Sequence, residues 1–112
     1  MKLGVHNTVI VDVDARGVAT LTLSRAEKHN AINGELMADL GAAAQILADD
    51  PAVRIVVLTG AGKSFCAGGD FNWFASNVEK TRIERVAQSA SLAHLLRSLD
   101  TLRKPLIGRV NG

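Results

Sequence analysis

A chain of 112 residues, 47% of them hydrophobic, has room for one core and one domain, and that fraction excludes wholesale disorder. Thirteen basic against eleven acidic side chains leave a net charge of +2, the basic residues are scattered, and the aromatics gather in one stretch, so no basic stacking surface for nucleic acid is visible. No apolar run approaches the roughly 18 residues of a membrane span, Asn7, Asp12 and Asp14 interrupt any secretory core in "MKLGVHNTVIVDVD", and the single cysteine, Cys66, has no internal partner, all of which fits the cytoplasm.

The first elements read as a hairpin. Val9, Val11 and Val13 alternate with Ile10, Asp12 and Asp14, and a second run over 18–23 follows the turn Asp14-Ala15-Arg16-Gly17, where Gly17 is free to take positive φ. "AEKHNAIN" is a polar loop. Asn33 then reads as the N-cap of a helix over 34–49, with Glu35 in its first turn and Leu36, Leu40, Ala43, Ala44 and Leu47 on one face. Pro51 ends it. Four consecutive apolar residues in "RIVVLTG" predict a strand over 54–59 covered on both faces, as in a parallel sheet. A loop over 61–69 and a short turn around 70–75 follow. The spacing of Ile83, Val86, Ala90, Ala93, Leu96 and Leu99 predicts a helix over 79–100 with that stripe inward, and "LIGRV" predicts a last strand over 106–110. The expected order is β-β-α-β-α-β, an α/β fold without repeats, low complexity or linkers.

The stretch "KSFCAGGDFNWF" (63–74) carries the strongest functional signal. It hangs from the carboxyl end of a parallel strand, where ligands gather in α/β sheets. Gly68-Gly69 lets a bare backbone approach a ligand, and a helical turn beginning at Asp70 would aim N–H groups outward toward an oxyanion or phosphate. "GAGKS" (60–64) is no phosphate loop, because Val57 stands where the opening glycine should be. The residues alone leave turn and ligand loop open; the strand-end position favours the ligand. Cys66, between Phe65 and Ala67, reads as a small hydrophobe, Lys28 and His29 as solvated by default, and Phe71, Trp73 and Phe74 as a packing cluster. His6 and His94 lack ligand-spaced partners, so no metal is expected.

Taken together, "LSRAEKHNAIN" (23–33), "DDPAVRIVVLTGAGKSFCAGGDF" (49–71) and "KPLIGRVNG" (104–112) resemble the enoyl-CoA hydratase/isomerase, or crotonase, family, in matching order and spacing. Within it "GGDFNWF" is most similar to hydratases of the methylglutaconyl type. The departures are Ala26, where the family commonly has proline, and Gly69, where alanine is frequent. The resemblance implies a crotonase-like spiral of β-β-α units, a CoA-thioester substrate and no separate cofactor, since coenzyme A is part of the substrate. It places Arg25, Ala26, Lys28 and Ala31 beside the bent CoA, and Ala67, Gly68 and Gly69 along the adenine and thioester pocket. Gly69 would supply one of two oxyanion-hole N–H donors, Asp70 would hold the loop, and Phe71, Asn72, Trp73 and Phe74 would begin a helix walling the acyl pocket.

In the family, "VNG" leads into a glycine-rich segment with the second oxyanion donor, and the catalytic carboxylates come later. The chain is therefore expected to be the N-terminal portion of a single crotonase-like domain (1–112), inactive alone, from a parent that assembles as a homotrimer or hexamer. A non-catalytic module for oligomerisation or binding is the alternative. RNA binding, known among some relatives, is disfavoured by the low charge and the missing basic stripe.

Overall fold

The computed structural model describes residues 6–112, so the first residues of the stretch read above for secretion lie outside it. Strands β1 (Val9–Val13) and β2 (Val18–Leu23) pair antiparallel from Val9–Leu23 to Val13–Ala19. Their turn closes as the sequence requires. Gly17 takes φ +83°, and the Asp14 carboxylate accepts from the N–H groups of Arg16 and Val18 at 2.9 and 3.1 Å. Helix α1 (Gly34–Asp49) starts where Asn33 accepts from the Leu36 N–H at 2.9 Å, and stops at Asp50, held extended ahead of Pro51.

Strand β3 (Ile55–Gly60) then pairs parallel with β2, and β4 (Leu106–Arg109) pairs parallel with β3, giving the sheet order β1-β2-β3-β4. Between β3 and β4 run a short helix α2 (Phe71–Ala75), a 3-10 turn (Ser76–Glu79) and helix α3 (Arg82–Asp100). Thr81 caps α3, its hydroxyl accepting from the Glu84 N–H at 3.2 Å.

The core lies between one face of the sheet and the helices. Val9, Val11, Val13, Ala19, Leu21, Leu23 and Val56 meet Leu36, Leu40, Ala43, Ala44 and Leu47 of α1 and Leu95 and Leu99 of α3. Each fully buried leucine of that set contributes about 1.5–3 kcal/mol over its exposed state. Cys66 is half-buried and packs on the same cluster.

Two expectations are corrected. First, the cover of β3 is uneven rather than complete: Val56 and Thr59, on opposite faces, are buried, whereas Ile55, Val57 and Leu58 are half-buried. Second, of the expected stripe of α3 only Leu99 is buried, and Leu95 joins it from the neighbouring stripe. Leu95 and Leu99 are buried with Leu92 and Leu102 beside them, while Ile83, Val86 and Leu96 are 83%, 59% and 54% exposed. The helix carries two apolar stripes, and only its C-terminal half reaches α1.

Candidate functional site

The loop between β2 and α1 is built around one buried polar residue. Asn30 has no exposed surface and sits in the left-handed region at φ +57°, as does its neighbour His29 at +52°. Asparagine tolerates that conformation better than most residues. Its side chain accepts from the Arg25 N–H at 2.8 Å and donates to the carbonyls of Ala61 and Ser64 at 3.0 and 2.8 Å. One side chain thereby ties the β2–α1 loop to the loop after β3.

A second residue secures that later loop from β4. The Asn111 side chain accepts from the Gly60 N–H at 3.3 Å and donates to the Gly62 carbonyl at 3.1 Å, and its backbone carbonyl accepts from the Phe65 N–H at 2.9 Å. Neither asparagine stands out in the sequence. Asn30 is one of several polar residues in its loop, and Asn111 follows a strand with no partner in view.

The third fastening is ionic. Arg25 donates to the Asp70 carboxylate at 3.1 Å and to the Ala31 carbonyl, and the two charged side chains are only 12% and 10% exposed. The other Asp70 oxygen caps α2, accepting from the Trp73 N–H at 3.0 Å. That backbone bond, and then the Arg25 guanidinium, hold the Asp70 carboxyl below its ordinary value of 3.8. Asp70 is therefore committed as an anion to its loop.

These fastenings place Gly69. Residues 68–70 pair with Ile32 as a one-residue parallel bridge: the Ile32 N–H donates to the Gly68 carbonyl at 2.7 Å, and the Asp70 N–H donates to the Ile32 carbonyl at 2.9 Å. In a parallel pair the bonds go to the residues before and after, so the N–H of Gly69 itself points away from Ile32. It meets no acceptor among the described residues. Its aim comes from this bridge. Helix α2, at five residues, is too short for the dipole argument made from the sequence.

Beside Gly69 opens a cleft of about 280 Å³ between the two loops. Of the residues singled out in the sequence, Lys28, Ala31, Ala67, Gly69, Asp70, Phe71 and Asn72 line it, joined by Glu27 and His29. His29 Nδ1 lies 3.1 Å from the Ser64 hydroxyl. Arg25 turns inward to Asp70 instead, Ala26 lies in a 3-10 turn (Ala26–Lys28) against Gly62, and Gly68, at φ +97°, gives its carbonyl to the bridge. The expected aromatic cluster holds in part: Trp73 and Phe74 stack at 5.3 Å, tilted 43°, but Phe71 is 90% exposed. No group of three metal-ligating side chains occurs among the described residues, nor any helix long and apolar enough to cross a membrane.

The sequence profile of the enoyl-CoA hydratase/isomerase family matches residues 14–112. The chain belongs to this family. Its sequence is 39% identical over 105 residues to the 1,2-epoxyphenylacetyl-CoA isomerase of Escherichia coli, covering 87% of this chain and 37% of the isomerase. An enoyl-CoA hydratase crystal structure from Shewanella pealeana superposes with a TM-score of 0.91 at 28% identity, covering 95% of this chain and 40% of that one. One from Mycobacterium smegmatis does so with a TM-score of 0.84 at 37% identity, covering 94% and 40%. The fold is the crotonase fold, and the chain spans about two fifths of the length of these family members.

Proposed function

We propose that the chain supplies half of the oxyanion hole, and most of the CoA-facing wall, of an enzyme that hydrates or isomerises an enoyl-CoA thioester. The observation that carries this reading is the N–H of Gly69, unpaired within the described chain, fixed by the bridge to Ile32 and set at the rim of the cleft. A thioester carbonyl oxygen accepting that N–H gains negative charge as water adds to the β-carbon or as a proton leaves the acyl chain. In either case the electrons move onto the oxygen and an enolate forms. A donor already aimed there stabilises the enolate more than the ground state, and its removal costs about 3–4 kcal/mol. No further cofactor is needed, because the thioester itself takes up the charge.

The other residues divide between holding and binding. Arg25, Asp70 and Asn30 keep the loop in shape. Lys28, exposed at the cleft, offers an ammonium to the phosphates of CoA, and Ala31 and Ala67 leave room for its adenine. Phe71, Asn72, Trp73 and Phe74 flank the acyl end. The second N–H donor and the carboxylates that activate water and protonate the α-carbon belong to the remainder of a full-length family member, which assembles as a homotrimer or hexamer. The exposed apolar residues of α3, Ile83, Val86 and Leu96, favour one other reading, a module that binds a partner without catalysis. Enoyl-CoA turnover that survives Gly69→Ala and collapses with Gly69→Pro supports the enzyme reading; no turnover by the full-length protein supports the module.

A further inference from the structure

Helix α3 carries a seam that nothing among the described residues covers. Arg82, Val86, Ser89, Ala93, Leu96 and Asp100 are all exposed, Val86 and Leu96 by more than half. Their spacing alternates between four and three residues throughout, the repeat by which one helix packs along another. Arg82, Val86, Ser89 and Ala93 line a groove on this side of the helix. The seam is also symmetric. Val86 and Leu96 lie equally far from Ser91 along the chain, as do Ser89 and Ala93, and Arg82 and Asp100. A second α3 laid antiparallel across that point sets Val86 against Leu96, small Ser89 against small Ala93, and Arg82 against Asp100, each pair occurring twice.

The charges favour the same occupant. Arg82 opens α3 and Asp100 closes it, so each sits at the end of the helix dipole that repels it. Neither has an ion-pair partner among the described residues. An antiparallel copy relieves both: Arg82 meets the C-terminal end of the other helix, with its Asp100, and Asp100 meets the N-terminal end, with its Arg82. We propose that a second copy of this chain docks on α3, antiparallel about a two-fold axis level with Ser91, and so doubles whatever assembly the rest of the protein forms. The seam shares no residue with the cleft beside Gly69, and the proposal stands apart from the thioester reading.

The test measures the mass of the full-length protein by sedimentation, with circular dichroism to show that each variant is folded. Leu96→Glu sets a carboxylate against Val86 of the other copy, and Arg82→Glu sets one against Asp100. Each should cut the mass to about half, because an isologous contact is broken at both of its equivalent ends at once. Adding Asp100→Arg to Arg82→Glu should restore the full mass. Within one helix the two positions stand about 27 Å apart at roughly 1.5 Å per residue, so that rescue can come only from another copy. An unchanged mass in Leu96→Glu, whether or not the variant melts earlier, would mean that the protein's own chain covers the seam, and overturns the proposal. A halved mass that the double reversal fails to restore overturns it as well, because the antiparallel pairing of Arg82 with Asp100 is then wrong.

Discussion

Replacing Gly69 by proline and by alanine in the full-length protein separates the N–H from the space around it. Proline deletes the donor; alanine keeps it. Both bring a Cβ to within 1.9 Å of Phe74 Cε2, so the ring must retreat by roughly 2 Å to reach the ~3.5–4.0 Å of carbon contact. Overpacking of this kind costs about 1–3 kcal/mol of stability. The half-exposed ring can swing toward solvent, which puts the cost at the low end. The steric penalty can be removed from the comparison by making both changes in a Phe74→Ala background. What then separates proline from alanine in kcat is the lost donor, about 10²–10³-fold. Crotonyl-CoA is the substrate, loss of the enoyl thioester absorbance is the signal, and circular dichroism confirms that both variants are folded. A proline variant within about threefold of the alanine variant in kcat, with native-like circular dichroism, would refute the role of the Gly69 N–H.

Lys28→Ala should raise KM several-fold with kcat little changed, because an ammonium on the CoA phosphates binds substrate and transition state alike; steady-state kinetics in which kcat falls and KM stays constant would contradict it. Asn30→Ala leaves the Ala61 and Ser64 carbonyls and the Arg25 N–H without their partner and puts alanine at φ +57°, on the order of 3 kcal/mol, so the melting temperature should fall by roughly 10–20 °C. The Asp70 carboxyl is depressed in the folded state, so its stabilising contribution is complete above its ordinary value of 3.8 and fades as pH falls through the lower folded value. Melting curves below pH 4 should therefore show a shallower acid loss for Asp70→Asn than for the unaltered chain, with Asp14, also depressed, sustaining the rest. The 112-residue chain by itself should show no hydration of crotonyl-CoA, since Asp70 at the cleft is committed to Arg25 and the Trp73 N–H and a lone oxyanion donor leaves the enolate poorly stabilised; turnover above background in the purified chain would overturn that.

Local rules made much of this fold legible. The hairpin follows from period-two alternation ending in a turn that needs Gly17, and α1 from an asparagine cap ahead of a 3-and-4 apolar stripe. The inward face of α3 was not legible in the same way. Ile83, Val86, Ala90 and Ala93 make as regular a stripe as Leu92, Leu95, Leu99 and Leu102. Periodicity reports that a face is apolar, and only tertiary packing decides which face is used. At the site, Gly68-Gly69 marked the loop, and the family resemblance named the N–H. The device that aims it stayed hidden, because a one-residue bridge between 32 and 69 has no signature in composition or spacing. Asn30 and Asn111 stayed hidden for the same reason: their partners lie 31 to 51 residues away.

Those distances bear on the order in which the chain assembles. Hairpin and helix form from neighbours and cost little loop-closure entropy, whereas the loop after β3 is shaped by one residue near position 30 and another at 111. The segment bearing Gly69 thus cannot take its final shape until β4 has docked beside β3 and delivered Asn111. The geometry around Gly69 is among the last things this chain acquires as it folds. A ribosome-bound chain that has emerged only as far as α3 would carry an intact core and a loop still unset.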